Sequence, residues 1–569
     1  MRCIPCLRWY AVASVLCCSH LNRALAILLR LGEMLEKLLK KGYFPQEVPV
    51  TFNTDKYGDV LINPDLELSN PFKYNRDGPR YSSQCTKFNL ARRGKLRRPL
   101  SVPNPINYYQ LAKLVSDNWA DLEAVFDRSS QSISRPVEDD STRALKWEKG
   151  FNYLPDAKLK TRTASRYILK ADIANFYSTV YTHSIPWVLH TKPIAKQQRK
   201  FKNNLGNKID TLVRNAQDQQ TKGIPIGTDT SYVIAELIMS EVDRLLVERI
   251  GANYHRYIDD FEFGCKTLQE AEHILSVLQE VLSLFELELN TSKTKIIQLP
   301  QQLDPQWLHE LQKFEINMVT PLTQRRTLLS FFDMTMDYLA KEPHEPILKY
   351  AVIRTSSHIV QSSNYALYQR ILLQWATAEP STLPIVIDFI AFYRNAGIDI
   401  DVEEVKKTLE FIIIENARQN HTSEICWAIW GMMLLNIHFT PELTHTIKDI
   451  ENSFVALLTL DAQRRGLIAE NQSFDLWASL MTLQELKGNN WLLAYEALKQ
   501  GWLESADGEN YLSEAHGFSV LSENDVTFYD TEKLTSYDPQ IKYQNLSRLT
   551  TEQLRYFLYR DRPLNGSPF

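Results

Sequence analysis

Apolar residues at helical spacing dominate the second half of the chain. From about residue 320 to 510 they recur every three or four positions, in segments separated by breakers such as Gly397, Asn436 and Gly488. The helices predicted from this pattern cover residues 366–377, 383–395, 402–417, 423–435, 441–460, 476–486 and 491–503. Paired helices of this length predict an all-α domain of HEAT-like helical repeats over residues 311–569.

The first half of the chain mixes strand and helix patterns. β-branched and aromatic residues predict a strand that starts at Tyr167, and two more on either side of a short turn within residues 255–264. Amphipathic spacing predicts a helix over residues 268–284, and another helix is predicted to begin near Thr228 or Thr230. This alternation predicts an α+β domain over residues 34–310.

Composition is ordinary for a globular protein with two or three domains: 569 residues, 44% apolar and 23% charged. A net charge of −4 argues against indiscriminate binding to nucleic acid, so contacts with phosphates must be local. Two basic stretches without acidic residues provide such contacts, although a solvated charged face explains the second equally well. Their members are Lys87, Arg92, Arg93, Lys95, Arg97 and Arg98, then Lys192, Lys196, Arg199, Lys200, Lys202 and Lys208.

Residues 1–33 stand apart from the rest. They hold four of the seven cysteines (Cys3, Cys6, Cys17 and Cys18) and an apolar run, residues 9–18, that is too short to cross a bilayer. Scattered cysteines elsewhere indicate a reducing, cytoplasmic location without disulfides. We interpret residues 1–33 as an extension that is not necessarily translated in the native protein. Peptides from before Met34 in a mass spectrum of that protein would contradict this interpretation.

Three aspartates are the main candidates for chemistry. Asp172 ends the strand that starts at Tyr167, and Asp259 and Asp260 lie at the turn between the next two predicted strands. Like charges this close repel each other, so a fold that keeps them typically places a divalent cation against a polyanionic substrate. Mg²⁺ is the natural occupant, and polymerases use it in pairs. The alternatives are a solvated hairpin tip and an Asp172 that only caps a turn.

Two further segments lie near these aspartates in the sequence. The loop with Gly223, Pro225 and Gly227 holds the backbone in a turn that approaches a partner closely. Lys293 follows the helix predicted over residues 268–284 and is placed to neutralise a leaving pyrophosphate. Each signal is weak by itself, since loops with Gly and Pro and solvated lysines are common.

Taken in order, these segments resemble a reverse transcriptase with a right-hand polymerase fold of fingers and palm. The resemblance rests on the Asp172 strand, the loop at residues 223–227, Tyr-Ile-Asp-Asp at 257–260 and Leu-Glu-Leu-Asn-Thr-Ser-Lys-Thr at 287–294. It covers about residues 45–300. It implies that Asp172 and Asp259 are the main ligands of two Mg²⁺ ions, for which Mn²⁺ can substitute. Asp260 is the weaker ligand, because neighbouring residues of a strand point to opposite faces.

The resemblance also implies roles in substrate binding. Arg98 is expected to hold the triphosphate of a deoxynucleoside triphosphate, with Arg97 in reserve, since a guanidinium grips phosphate oxygens with two hydrogen bonds. Tyr177 matches an aromatic gate that excludes a 2′-hydroxyl. Gly223, Pro225 and Gly227 are expected against the base pair, and Lys293 against the pyrophosphate.

One departure narrows the resemblance. Many templated reverse transcriptases have Gln before the second Gly of the loop, where this chain has Ile226. The Gly-x-Pro-Ile-Gly variant and the helical second half resemble bacterial abortive-infection (Abi, defence-associated) reverse transcriptases, which act in antiphage defence. Some of these make DNA without a template and primed on their own side chain, while others copy a small partner RNA. Tyr43, Tyr57, Tyr108 and Tyr109 are candidates for such a priming residue, but none is assigned.

The sequence therefore predicts a DNA polymerase of reverse-transcriptase type that acts in antiphage defence, with its DNA product covalently attached to the protein if priming is on a side chain. One alternative is an RNA-templated enzyme that copies a partner non-coding RNA. The other is a non-enzymatic scaffold of helical repeats with a relic polymerase domain. No membrane partner is expected, and a homo-oligomer is left open.

Overall fold

The computed structural model describes residues 32–92, 96–141, 143–150, 153–317, 319–356, 358–470, 472–515 and 517–534. The four N-terminal cysteines, and Arg93 and Lys95 of the first basic stretch, lie outside these ranges, as does nearly all of the 1–33 segment. None of the described helices combines the length and the low polarity needed to cross a bilayer.

The first part of the described chain mixes helices with strands, as the sequence predicts. Its helices are α1 (residues 32–40), α2 (Asp55–Leu61), α3 (Pro105–Asp117), α4 (Trp119–Phe126), α5 (Leu154–Arg162), α6 (Phe176–Thr179), α7 (Ser184–His190), α8 (Lys192–Gln197), α9 (Leu205–Asn215), α10 (Asp229–Ile250), α11 (Leu268–Ser283) and α12 (Gln306–Lys313). Its strands are β1 (Thr86–Ala91), β2 (Arg97–Val102), β3 (Pro136–Glu138), β4 (Leu145–Trp147), β5 (Tyr167–Asp172), β6 (Tyr254–Tyr257), β7 (Asp260–Cys265) and β8 (Lys295–Gln298).

A four-stranded antiparallel sheet in the order β6-β7-β5-β8 is the centre of this part. Successive residues of a strand face opposite sides, so β6 contacts a different helix on each side. Arg256 meets α10 through Glu236, whereas His255 meets α5 through the hydroxyl of Thr161. The aromatic side chains of β7 and the apolar side of α11 complete the buried core on the α10 side.

The hairpin β1–β2 is not part of this sheet. Its two strands pair only with each other, in a register that places Arg98 opposite Leu90 and Arg97 opposite Ala91. An isolated two-stranded hairpin is marginally stable in water, so it needs other elements to pack against. Helices from the second part of the chain provide that contact.

The second part is helical, which confirms the predicted α+β part followed by an all-α part. Its described helices are α13 (Pro321–Lys341), α14 (Ile347–Thr355), α15 (Ser362–Ala378), α16 (Leu383–Asn395), α17 (Val402–Ala417), α18 (Thr422–Leu434), α19 (Pro441–Ile447), α20 (Ser453–Arg464), α21 (Asp475–Ser479), α22 (Trp491–Lys499), α23 (Tyr511–Glu514) and α24 (Phe518–Glu523). Each helix from α15 to α18 packs against the next but one, and the pairs α15–α16 and α17–α18 also pack as neighbours, which forms two layers. The HEAT-like character of these repeats stays a prediction.

Helix boundaries in the second part agree with the sequence where periodicity is long. The predicted segments 383–395 and 402–417 coincide with α16 and α17. The predicted helix 441–460 is wrong as one element: it is split into α19 and α20, because the Asn452 side chain accepts the N–H groups of Phe454 and Val455 and starts a new helix. The segment 476–486 is α-helical only to Ser479.

The end of the described chain returns to its beginning. Phe52 and Tyr529 form an antiparallel bridge, and the Phe528 ring stacks on that of Phe44 with centroids 5.8 Å apart. The two parts therefore share one buried core. The boundary expected between residues 310 and 311 falls inside α12 and stays a prediction.

Candidate active site

The candidate site is centred on residues 257–260, which we call the aspartate turn. Strand β6 ends at Tyr257 and β7 begins at Asp260, so Ile258 and Asp259 make a two-residue turn. Ile258 has a φ of +50°, a left-handed conformation that a β-branched residue seldom adopts. Such a conformation costs about 1–3 kcal/mol and persists only where the surroundings enforce it.

Two neighbours hold the strained residue by its backbone. The Ile258 N–H donates to Ser134 Oγ at 2.8 Å, and its carbonyl accepts from Arg256 Nη1 at 2.8 Å. Arg256 is fixed in turn by two carboxylates of α10: Nε donates to Asp243 Oδ2 at 2.8 Å and Nη2 to Glu236 Oε1 at 2.8 Å. All three charged side chains are at most 1% exposed. The turn therefore rests on a buried ionic network.

The network keeps Arg256 charged. Burial alone lowers the pKa of Arg256, but the carboxylates of Asp243 and Glu236 outweigh it and raise that pKa above its usual value. Burial raises the pKa of Glu236, and the charge of Arg256 offsets only part of that rise. A guanidinium paired with two acids is thus the donor that holds the carbonyl of Ile258.

The strand β5 brings the third aspartate to the turn. Asp172 is the last residue of β5 and lies directly opposite Asp260 of β7, and the next N–H, of Ile173, donates to the carbonyl of Asp259 at 3.3 Å. Residues directly opposite each other in an antiparallel pair project from the same face. Asp172 and Asp260 therefore share a face, with Asp259 beside them at the turn. Asp172 is buried, whereas Asp260 is exposed.

Lys293 reaches the same carboxylates because its segment pairs with the end of β5. The Asn290 N–H donates to the Asp172 carbonyl at 2.7 Å, and the Ala174 N–H donates to the Glu288 carbonyl at 2.9 Å. This pairing places Lys293 Nζ 2.8 Å from Asp172 Oδ2, while the lysine side chain stays 62% exposed. The site thus combines the aspartates with a positive charge that is open to solvent.

The loop at residues 223–227 lies beside the segment that follows Asp172. The Gly223 N–H donates to the Val180 carbonyl at 2.7 Å, and the Ile224 N–H donates to the Tyr177 carbonyl at 2.9 Å. Gly223 has a φ of +89° and Gly227 a φ of +117°, so both positions need glycine. A Cβ at Gly227 would also lie 2.7 Å from Pro45 Cγ. The loop is thereby fixed next to Tyr177.

Comparison with known proteins agrees with this geometry. Residues 87–327, which include every residue of the site, match the family model described as "Reverse transcriptase (RNA-dependent DNA polymerase)". The chain contains a reverse transcriptase domain.

Two other comparisons add little. The structure of telomerase from Candida albicans in complex with a TWJ fragment of telomeric RNA is similar with 11% identity and a TM-score of 0.27, over 70% of this chain and 66% of that one. This chain thus spans just under two thirds of the telomerase chain, and values this low do not establish a shared function. A comparison with curated proteins found no match.

The two arginines proposed for the triphosphate differ in their surroundings. Arg97 forms a two-pronged ion pair with Glu424 of α18, in which Nη2 lies 2.7 Å from Oε2. Arg98 is the next residue of β2 and so faces the opposite side of the hairpin, where it is half-buried. Further along β2, the Ser101 N–H donates to the Ile226 carbonyl at 2.9 Å. The hairpin therefore meets the loop of the reverse transcriptase domain, while Arg97 is occupied elsewhere.

The tyrosines considered for priming are all buried. Tyr43, Tyr57 and Tyr108 are at most 1% exposed and donate their hydroxyls to backbone carbonyls of Pro103, Pro105 and Leu38. Burial raises the pKa of each of these phenols well above its usual value. Tyr109 is 6% exposed. None of the four is presented to solvent as an acceptor in this conformation.

The carboxylates of the site are compatible with a Mg²⁺ ion that takes its other ligands from the substrate. Among the residues that the structure describes, no three His, Cys, Asp or Glu side chains form a ready cluster for a metal ion. Asp172 already binds one cation, the ammonium of Lys293, and Asp260 lies opposite it. Mg²⁺ is commonly bound by one or two carboxylates plus substrate phosphates, which this arrangement allows.

Sequence reasoning missed the residues that support the turn. Ser134 lies outside every segment singled out from the sequence, whereas Glu236 and Asp243 lie in the helix predicted to begin near Thr228 or Thr230 but were given no role. A signal for the last two was present, because acids seven residues apart in α10 lie on one helix face and most of their neighbours on this face are apolar. An arginine inside a buried strand, as at Arg256, needs such partners.

Proposed function

We propose that this protein is a DNA polymerase of reverse-transcriptase type, which adds deoxynucleotides to a 3′-hydroxyl or to a priming hydroxyl of its own. The observation that carries the proposal is the register of β5 and β7, which sets Asp172 opposite Asp260 and beside Asp259 within the reverse transcriptase domain. Lys293 at 2.8 Å from Asp172 adds a cation where a phosphate would bind.

Each residue of the site has a proposed role. Asp172, Asp259 and Asp260 hold Mg²⁺, or Mn²⁺ in its place, and the bound metal supplies electrostatic stabilisation of the phosphoryl transition state. Arg98 binds the triphosphate and Lys293 neutralises the leaving pyrophosphate. The ring of Tyr177 excludes a 2′-hydroxyl, and the backbone of Gly223, Pro225 and Gly227 supports the nascent base pair.

We further propose a role in antiphage defence in the cytoplasm, with synthesis that needs no template and starts on a protein side chain. Two features support this finer assignment: the apolar Ile226 in the loop and the helical second part, both of which resemble abortive-infection enzymes. The printed description of the matched family, an RNA-dependent DNA polymerase, favours a second candidate in which the enzyme copies a partner RNA. A scaffold that keeps a relic polymerase domain is the third.

Incorporation of labelled nucleotide tests the proposal. Purified protein is incubated with Mg²⁺ and each labelled deoxynucleoside triphosphate without added nucleic acid, and the products are separated on a denaturing gel before and after nuclease digestion. We expect label that stays attached to the protein and is shortened by DNase. Loss of the carboxylate in Asp259→Ala should reduce incorporation by about 10³-fold or more, as expected when electrostatic stabilisation of the transition state is lost.

The matched control is Asp333→Ala, which removes an exposed aspartate on α13 far along the chain from the site. Equal incorporation by the wild type and Asp259→Ala would refute polymerase activity. Incorporation that requires added or co-purified RNA, and follows its sequence, would favour the templated candidate. If the wild-type protein incorporates no nucleotide either with or without RNA, the non-enzymatic scaffold is the remaining candidate.

A further inference from the structure

The hairpin that carries Arg98 is held by residues distant in the sequence. Several hydrogen bonds join the hairpin to the helical part. Among them are Ala91 N–H to Ser423 Oγ at 2.7 Å, Asn452 Nδ2 to the Lys87 carbonyl at 2.9 Å, Thr86 Oγ1 to the Asn489 carbonyl at 2.8 Å and, at the end of β2, Trp491 Nε1 to the Val102 carbonyl at 3.3 Å. The open edge of β1 is therefore covered by the second part of the chain.

An ion pair between Arg97 and Glu424 also joins the hairpin to these helices. Glu424 is 2% exposed and holds the guanidinium of Arg97 with both carboxylate oxygens, and Ser423 Oγ donates to Glu424 Oε2 at 2.7 Å. Arg97 also donates to its own hairpin, from Nη2 to the Asn89 carbonyl at 2.7 Å. The pair thus fixes the strand β2 at the residue next to Arg98.

We propose that Glu424 is a positioning residue for nucleotide binding: through Arg97 it holds the hairpin where Arg98 meets the triphosphate. This inference rests on the proposed function for the role of Arg98. It gives the helical part a task in the reaction, since α18 would set the affinity for the nucleotide without touching it.

The substitution Glu424→Gln tests the inference, because an effect of charge and an effect of positioning predict opposite changes in the Kd for the triphosphate. Glu424→Gln removes a negative charge and leaves the positive charge of Arg97 uncompensated near Arg98. By charge alone, a triphosphate would then bind more tightly. If Glu424 acts by positioning, the triphosphate binds more weakly, and we expect the Kd to rise about tenfold, since misplacing a binding group by about 1 Å has effects of that size or more.

The Kd is measured by calorimetry on full-length protein in the presence of Mg²⁺. The ligand is a deoxyadenosine triphosphate analogue with a non-cleavable α,β-imido linkage. Hydrogen exchange of the amides in residues 86–102 is followed in parallel and should become faster in Glu424→Gln. Glu404→Gln is the matched control: it makes the same change in an exposed ion pair with Arg370 on the same helical part. We expect it to leave both the Kd and the exchange unchanged.

Because Glu424→Gln leaves a half-buried guanidinium without its partner, the double variant Arg97→Gln, Glu424→Gln separates misfolding from lost positioning. We expect it to melt near the wild type and still bind the analogue more weakly. An unchanged or lower Kd in Glu424→Gln, or unchanged exchange in the hairpin, would overturn the inference.

Wild-type protein that binds the analogue but incorporates no nucleotide refutes the proposed function alone, and the Kd comparison then still decides about Glu424. Wild-type protein that binds no analogue refutes both.

Discussion

The aspartate turn and the β1–β2 hairpin both present residues of the candidate site, but they are supported in different ways. The turn is held by Ser134, Arg256 and two carboxylates of α10, all within the reverse transcriptase domain. The hairpin is held by Glu424, Asn452 and Trp491, which lie 327, 365 and 389 positions from their partners. Charge buried in one domain fixes the proposed metal end of the site, whereas contacts between the two parts fix the proposed nucleotide end.

This difference predicts how each region fails. A turn fixed from within should keep its shape for as long as its domain is folded, and its loss should be an all-or-none loss of that domain. A hairpin fixed by another part of the chain can detach while both parts stay folded, because local opening needs only the contacts that cross the junction to break.

The largest effect is expected for the charge under the turn. Arg256→Met keeps the volume but leaves Glu236 and Asp243 buried without a counter-charge, which should lower the free energy of unfolding by about 3–5 kcal/mol. Urea denaturation measures this loss. The control Arg249→Met removes an arginine of α10 that is 41% exposed and pairs with an exposed glutamate, so it should cost at most about 1 kcal/mol. Equal costs for the two variants would show that the buried network does not support the turn.

The next effect concerns the pH dependence of stability, to which His255 and Glu496 contribute with opposite signs. Burial lowers the pKa of His255 in β6 to about 4, below its usual 6.5, so the stability it contributes is complete above about pH 6.5 and is lost as the pH falls towards 4. Burial raises the pKa of Glu496 in α22 to about 7, above its usual 4.5, although hydrogen bonds from Phe528 N–H and Gln500 oppose the rise. Its contribution is complete below about pH 4.5 and is lost as the pH rises to 7.

Free energies of unfolding at pH 5, 7 and 8 measure both dependences. Between pH 7 and pH 5, His255 should lower the free energy of unfolding by about 2 kcal/mol while Glu496 raises it by about 2 kcal/mol, so the wild type should change little. His255→Gln removes the first effect and should gain about 2 kcal/mol as the pH falls from 7 to 5. His273→Gln changes an exposed histidine of α11 and should behave like the wild type. Glu496→Gln should stabilise the protein by about 3 kcal/mol at pH 8 and by less than about 1 kcal/mol at pH 5, so this variant should lose about 2 kcal/mol between pH 7 and pH 5. If both variants changed the difference between pH 7 and pH 5 in the same direction, the assignment of one titrating group to each region would be wrong.

The sequence predicts those features of the fold and the site that depend on local contacts, and fails where they depend on residues distant in the sequence. The strands around the aspartates, and α16 and α17, were predictable because hydrophobic periodicity is a local signal. The register that sets Asp260 opposite Asp172 was not, since it pairs two strands that are distant in the sequence. The left-handed turn at Ile258 was not either, because local preferences disfavour that conformation in a β-branched residue. The ligand assignment of the three aspartates stays a prediction.

The contacts that hold the β1–β2 hairpin could not be predicted from the sequence for a different reason. Nothing in the local pattern around Arg97 indicates a partner at Glu424, because that contact exists only once the helical part has folded back on the hairpin. The sequence made Arg98 the first candidate for the triphosphate and kept Arg97 in reserve, and only the structure shows that Arg97 is held in an ion pair with Glu424.

The smallest effect tests one hydrogen bond across the junction. Asn452 caps α20 with its side-chain oxygen and uses its Nδ2 to donate to the Lys87 carbonyl of β1. Serine caps a helix about as well as asparagine but is too short to reach β1, so Asn452→Ser removes only the bond to the hairpin. That loss should cost about 1 kcal/mol and speed exchange of the hairpin amides about fivefold, while amides of β5 and β7 keep their rates.

Asn204→Ser is the matched control for this change. Asn204 caps α9 in the same way, but its Nδ2 is buried without a hydrogen-bond partner in the part of the chain that the structure describes. The same substitution there should leave exchange of the hairpin as in the wild type. If Asn452→Ser instead accelerated exchange of β5 and β7 as much as that of β1 and β2, the hairpin would open only together with its domain, and the contrast between the two regions would not hold.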